Sequence, residues 1–137
     1  MKIGIIGSGA VGRTLGKGFL LEGFDVMLGS RNPLKDEVLK WKSDHPTAQT
    51  GDFAQTAAFA DIIVLAVSGL VAMNAIQIAG PQHFNGKIVI DPTNPIAKDP
   101  PEDGVLKFFT DLNESLMEKL QKNAILKWMF RIDRKSV

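Results

Sequence analysis

The sequence predicts an α/β fold, a parallel sheet doubly wound with helices. Three observations predict it. Short runs rich in β-branched residues recur, most clearly at residues 61–67 (DIIVLAV) and 87–91 (KIVID). Segments whose apolar residues fall at helical spacing separate such runs. The first run, KIGII, leads straight into the glycines Gly7, Gly9 and Gly12. Strands alternating with helices pair in parallel through right-handed crossovers.

Each element follows in order. Residues 2–6 have the length and apolar content of a buried parallel strand. Val11, Leu15, Gly18 and Phe19 then share one face of a helix, with Gly23 as a natural stop. Gly16 and Gly18 inside that helix cost about 1 kcal/mol each against alanine, so close packing against the sheet is expected at both. Residues 24–28 read as a second strand, 33–44 as a helix, 48–51 as a short third strand, and 53–60 as an alanine-rich segment. Residues 61–67 form the fourth strand, 70–79 a helix and 87–91 a fifth strand. The last ends in PTNP, whose two prolines forbid regular continuation. Residues 96–104, rich in Pro and Asp, read as a loop. Leu112, Leu116 and Leu120 predict a final amphipathic helix.

Composition narrows the function. A chain of 137 residues with 45% hydrophobic and 23% charged residues reads as one globular domain over residues 1–137. A formal net charge of +1 excludes a broad nucleic-acid-binding surface. The lack of cysteine excludes disulfides, thiolate catalysis and cysteine-ligated metals. His45 and His83 are too far apart for zinc spacing and each is expected at the surface, so no metal site is expected. The N-terminus is too short and too broken by glycine for a signal peptide or a membrane span. The expectation is a cytoplasmic protein without membrane contact.

Gly7, Gly9 and Gly12 form G-x-G-x-x-G between a strand and a helix, the Rossmann arrangement for a dinucleotide. Gly7 permits the tight turn, Gly9 lets a pyrophosphate approach the backbone, and Gly12 lets helix and strand pack closely. The helix N-terminus favours the anion. An NAD site usually has Asp or Glu about 20 residues further on, to accept the ribose hydroxyls. Here the second strand ends LGSRNP, with Ser30, Arg31 and Asn32 and no acid. A guanidinium pairs with a 2′-phosphate that a carboxylate would repel, which points to NADP(H).

IGIIGSGAVGRTLG, LGSRNP, ADIIVLAV and VIDPTNPI, in this order and spacing, resemble the NADP oxidoreductases that use coenzyme F420, over roughly residues 1–96. The resemblance implies hydride transfer between NADPH and a small acceptor, such as deazaflavin F420 or a flavin as co-substrate. It implies that Ser8, Ala10 and Val11 line the pyrophosphate turn and that Ser30 with Arg31 holds the 2′-phosphate. Ala66, Val67 and Ser68 are implied beside the ribose and nicotinamide, and Thr93, Asn94 and Pro95 near the nicotinamide. Two departures stand out. The stretch after the fourth strand is SGLVAMN, where the family often has an aromatic or proline-containing loop. The family also continues past a sixth strand into a portion that helps form the acceptor site and a homodimer. Here NAILKWMF supplies part of that strand, and RIDRKSV does not resemble the family. The expectation is a Rossmann domain truncated after the fifth or sixth strand.

Hydride transfer needs orientation more than acid–base groups, so no catalytic side chain is singled out. Asp91 is expected to hydrogen-bond the turn that follows it. Trp128, Met129 and Phe130 are core or a patch covered by a dimer partner. The rival function is a non-catalytic NADP(H)-binding module, a sensor or subunit, without a complete acceptor site.

Overall fold

The computed structural model describes residues 1–110, 114–124 and 129–131, and side chains as far as Lys122. The strands are β1 (Lys2–Ile6), β2 (Asp25–Gly29), β3 (Gln49–Gly51), β4 (Ile62–Leu65), β5 (Ile88–Asp91) and β6 (Met129–Arg131). The helices are α1 (Ala10–Leu21), α2 (Asp36–Asp44), α3 (Phe53–Phe59), α4 (Ala72–Ala79) and α5 (Leu116–Ala124). All six strands are parallel, in the order β3-β2-β1-β4-β5-β6. The chain runs outward from β1 to β3, then crosses back to place β4 on the other side of β1. At that reversal the connections leave in opposite directions and open a crevice beyond the carboxyl ends of the strands.

The period-2 pattern of the strands makes two cores. Ile3 and Ile5 of β1 join Val26, Leu28, Val64 and Trp41 on one face of the sheet. Ile6 turns to the other face, with Ile63, Leu65, Ile76, Phe84 and Leu120. Alternation along β1 and β4 therefore fills both sides, the condition for a parallel sheet covered on two faces. Truncating a fully buried side chain such as Ile76 to alanine is expected to cost about 2–5 kcal/mol.

Helix α3 approaches closest. A Cβ at Gly4 would lie 2.6 Å from the Thr56 carbonyl oxygen, and one at Gly29 would lie 2.8 Å from the Thr56 hydroxyl. Its start is set by a capping box: the Gln55 N–H donates to Asp52 Oδ1 at 2.7 Å and the Asp52 N–H donates to Gln55 Oε1 at 3.0 Å. At its end Lys87 Nζ donates to the carbonyl oxygens of Ala57 (2.7 Å) and Ala58 (3.4 Å). Partial burial pushes the Lys87 pKa down from the usual lysine value, and Asp61 partly opposes that shift.

The expected elements are present with shifted bounds. Helix α2 begins at Asp36 rather than at residue 33, because Asn32 makes a turn first. Its Oδ1 accepts from the Leu34 N–H at 3.1 Å and its carbonyl from the Lys35 N–H at 3.2 Å. The expected helix 70–79 is a 3₁₀ turn, Gly69–Val71, followed by α4. The expected loop 96–104 is an antiparallel excursion. Ile96 bridges Phe108, Glu102 bridges Val105, and the Ala97 N–H donates to the Lys107 carbonyl at 2.7 Å.

Close packing holds at Gly16, where a Cβ would meet Trp41 at 2.9 Å. It fails at Gly18, which faces open space. The two histidines are half-buried rather than superficial. His45 Nδ1 lies 2.8 Å from the Trp41 carbonyl oxygen, and its ring leans on the Trp41 ring at 4.7 Å. Leu112 and Trp128, and the side chains of Met129 and Phe130, lie outside the described residues. Among the described residues no helix is long and apolar enough to cross a membrane.

Candidate functional site

The turn between β1 and α1 gives each glycine its own reason. Gly7 has φ +121°, and a Cβ there would lie 2.3 Å from the Ala66 carbonyl oxygen. At Gly12 a Cβ would collide with the Gly7 carbonyl oxygen at 1.9 Å. Gly9 has ordinary φ and nothing within 4 Å of a Cβ, so its bareness serves open space. The hydrogen-bond ladder of α1 starts with the Arg13 N–H donating to the Gly9 carbonyl at 3.0 Å. The N–H groups of Ala10, Val11 and Gly12 therefore have no partner within the helix. Gly9 supplies no capping side chain and the first turn has no acid, so these donors and the helix dipole suit an anion.

Two clefts meet over this turn. The larger, about 690 Å³, runs from Gly7, Ser8 and Gly9 to Ser30, Arg31 and Asn32, and it includes Ala66, Val67 and Ser68. The smaller, about 340 Å³, is lined by Gly9, Ala10, Val11, Ala66, Val67, Ser68, Thr93 and Asn94. Gly9 and residues 66–68 border both, so one track crosses the carboxyl edge of β2, β1, β4 and β5. Of the residues expected at a cofactor, only Gly12 and Pro95 line neither cleft. Gly12 lies beneath the turn, and Pro95 turns its carbonyl to the Phe109 N–H at 2.9 Å.

Ser30 lines the cleft beside Arg31. It is buried, and its hydroxyl accepts from the Ser8 hydroxyl at 3.1 Å and from the Asn32 N–H at 3.2 Å. The same hydroxyl donates to the Asn32 carbonyl at 3.0 Å, so its capacity is used up. These bonds fold the loop on which Arg31 stands. Arg31 is exposed and makes no ion pair or side-chain hydrogen bond among the described residues.

Sequence reasoning missed Lys35, which lines the same cleft as Arg31 and is likewise exposed and unpaired. The Asn32-Pro33 pair signalled a turn, and that turn folds the next cation back to the cleft. Glu37, also on the lining, lies 3.5 Å from Arg13, which offsets its repulsion of an anion. Phe53, Val71, Asn74 and Ala75 complete the wall and gave no signal in the sequence.

The far end differs in character. Exposed Val11 and Ile96 give the smaller cleft apolar borders, suited to an uncharged ring. Asp91, as expected, binds the turn after β5. Its Oδ1 accepts from the Thr93 N–H at 2.9 Å and from the Thr93 hydroxyl at 2.5 Å.

The arrangement has counterparts in known proteins. Residues 2–95 match the family described as NADP oxidoreductase, coenzyme F420-dependent. A candidate F420-dependent NADP reductase from Arthrobacter sp. FB24 is 28% identical with a TM-score of 0.86, over 96% of this chain and 61% of that one. A hypothetical protein from Sinorhizobium meliloti is 19% identical with a TM-score of 0.71, over 96% and 59%. A pyrroline carboxylate reductase from Plasmodium falciparum, solved with NADP bound, is 17% identical with a TM-score of 0.55, over 97% and 58%. The last two likenesses show the fold alone. A search of curated proteins gives no significant match. The chain thus spans about three-fifths of the length of these solved structures. With the family match covering 94 of 137 residues (2 through 95) and the same Rossmann-like sheet in its solved counterparts, this chain belongs to the coenzyme F420-dependent NADP oxidoreductases.

Proposed function

We propose that this chain binds NADP(H) along the carboxyl edge of its sheet and presents the nicotinamide to a small hydride acceptor, a deazaflavin, flavin or similar ring. One observation carries the reading: a continuous track leads from two unpaired cations, past bare backbone donors, to an apolar cleft. The residues fit the cofactor part by part. Arg31 and Lys35 supply positive charge for the 2′-phosphate, Arg31 as a bidentate fork. Gly9 and the first N–H groups of α1 receive the pyrophosphate. Thr93 and Asn94, with Val11 and Ile96, border the place for the nicotinamide.

When bound, the nicotinamide itself carries the hydride. The protein's part is to hold its ring, exclude water from one side and leave the other side open to the acceptor. No side chain needs to move a proton, which agrees with a far cleft bordered by apolar residues, Thr93 and Asn94.

The first test is affinity for NADPH and NADH on wild type and Arg31→Ala. Wild type should prefer NADPH, and the substitution should remove about tenfold or more of that preference. Equal wild-type affinities would sink the assignment. Following NADPH oxidation at 340 nm with F420, flavin and ferric acceptors then tests the transfer. Tight binding without turnover on any acceptor would assign the non-catalytic module instead. Sedimentation at micromolar concentration tests the homodimer that the resemblance implies.

A further inference from the structure

The PTNP turn is held from three sides. Beneath it, Asp91 is only 2% exposed, and one carboxylate oxygen takes both donors of Thr93. Beside it, Gly69 comes so near that a Cβ there would stand 2.1 Å from the Asn94 carbonyl oxygen. Beyond it, the Phe109 N–H ties down the Pro95 carbonyl at 2.9 Å.

A buried carboxylate is expensive unless its bonds compensate, and Asp91 has no ion-pair partner among the described residues. An apolar residue would close the strand without that cost. Among the described residues the carboxylate's hydrogen bonds all go to the turn. Gly69 has φ in no special region, so its bareness answers to proximity alone. Asp91 therefore acts on Thr93 and Gly69 on Asn94, adjacent residues of the one turn that line the smaller cleft, which Gly69 borders as well. Neither lines the cleft that holds Arg31 and Lys35.

We infer that Asp91 and Gly69 are positioning residues: they fix the turn that receives the nicotinamide, while the adenosine half of the ligand is bound without them. This rests on the NADP(H) reading above. In chemical terms, the Thr93 hydroxyl donates its one hydrogen to Asp91, so that hydroxyl has only acceptor capacity left. Gly69 sets how closely the turn approaches the end of β4, and so the width available to a flat ring.

The test measures dissociation constants for NADPH and for 2′,5′-ADP, which lacks the nicotinamide. It uses the whole chain as wild type, Asp91→Ala, Asp91→Asn and Gly69→Ala. The fluorescence of bound NADPH reports the surroundings of the ring. Wild type should bind both ligands. Asp91→Ala and Gly69→Ala should weaken NADPH about tenfold and leave 2′,5′-ADP within about twofold. The bound fluorescence should move toward that of free NADPH. Asp91→Asn keeps an acceptor oxygen in place and should recover NADPH affinity to within about threefold of wild type. Retained 2′,5′-ADP binding shows in the same experiment that each variant is folded. Parallel loss of both ligands, no loss of NADPH, or no recovery with asparagine would overturn the inference. A wild type that binds neither ligand overturns the NADP(H) reading itself, and this inference with it.

Discussion

The two ends of the track follow opposite plans. At the Arg31 end the cations Arg31 and Lys35 are exposed and unpaired among the described residues, beside a Ser30 whose hydroxyl is engaged within the loop and with Ser8. At the Asp91 end the carboxylate is buried and, among the described residues, its bonds go to the backbone and hydroxyl of Thr93. The difference teaches what each ligand part requires. A phosphate is recognised by charge, which tolerates mobile side chains in water. A ring that must face an acceptor needs its surroundings fixed in advance.

Substitutions can break or sharpen that contrast. The largest effect is expected from Gly12→Ala, which strikes the turn both ends share. A Cβ at 1.9 Å from the Gly7 carbonyl forces the helix off the strand. Urea unfolding should show a loss near the upper end of the ~1–3 kcal/mol typical of overpacking. Binding of NADPH and 2′,5′-ADP should fall together. Next comes Lys35→Ala, which removes one of the two unpaired cations that line the larger cleft among the described residues. Titration should show NADPH weakened by about threefold to tenfold with NADH unchanged, less than for Arg31→Ala, since lysine acts as a point charge and not a fork.

Two smaller effects lie away from both ends. Gly18→Ala should raise stability by about 0.5–1 kcal/mol in the same unfolding assay, because the site is open and helical. Ligand affinities should not change. Lys87 offers a pH test. Its pKa is lowered on folding, so between that value and the usual lysine value the unfolded chain binds more protons. Its cost to stability is fully present at neutral pH and is relieved as pH rises through that window. The stability of wild type relative to Lys87→Met should therefore climb at alkaline pH. A flat difference would remove Lys87's shifted titration as the cause.

Much of this was legible in the sequence. The glycine spacing, the β-branched runs and the acid-free GSRNP located the sheet, the turn and the cation because each is a local pattern. Asp91 was legible as a turn former for the same reason. What escaped depended on distance. The pairing of Ile96 with Phe108 spans a Pro- and Asp-rich stretch that reads locally as loop. Gly16 and Gly18 look alike in the sequence, yet only Gly16 faces Trp41, a residue of a later helix. Lys35 reaches the cleft only through the geometry of the Asn32 turn. The Asp52–Gln55 capping box was readable and passed unused.

The exposure of Arg31 and Lys35 has a consequence for how the chain behaves in different solutions. On the proposed NADP(H) reading, discrimination for the 2′-phosphate draws on the exposed cations Arg31 and Lys35, and such interactions are screened over a Debye length of about 10 Å at 0.1 M salt. The NADPH-to-NADH affinity ratio is then expected to be widest in dilute buffer and to narrow as salt is added, which titration at two salt concentrations would check. Contacts of an uncharged ring with Thr93 and Asn94 would lack that dependence. On that reading, cofactor choice is set jointly by the residues and by the medium.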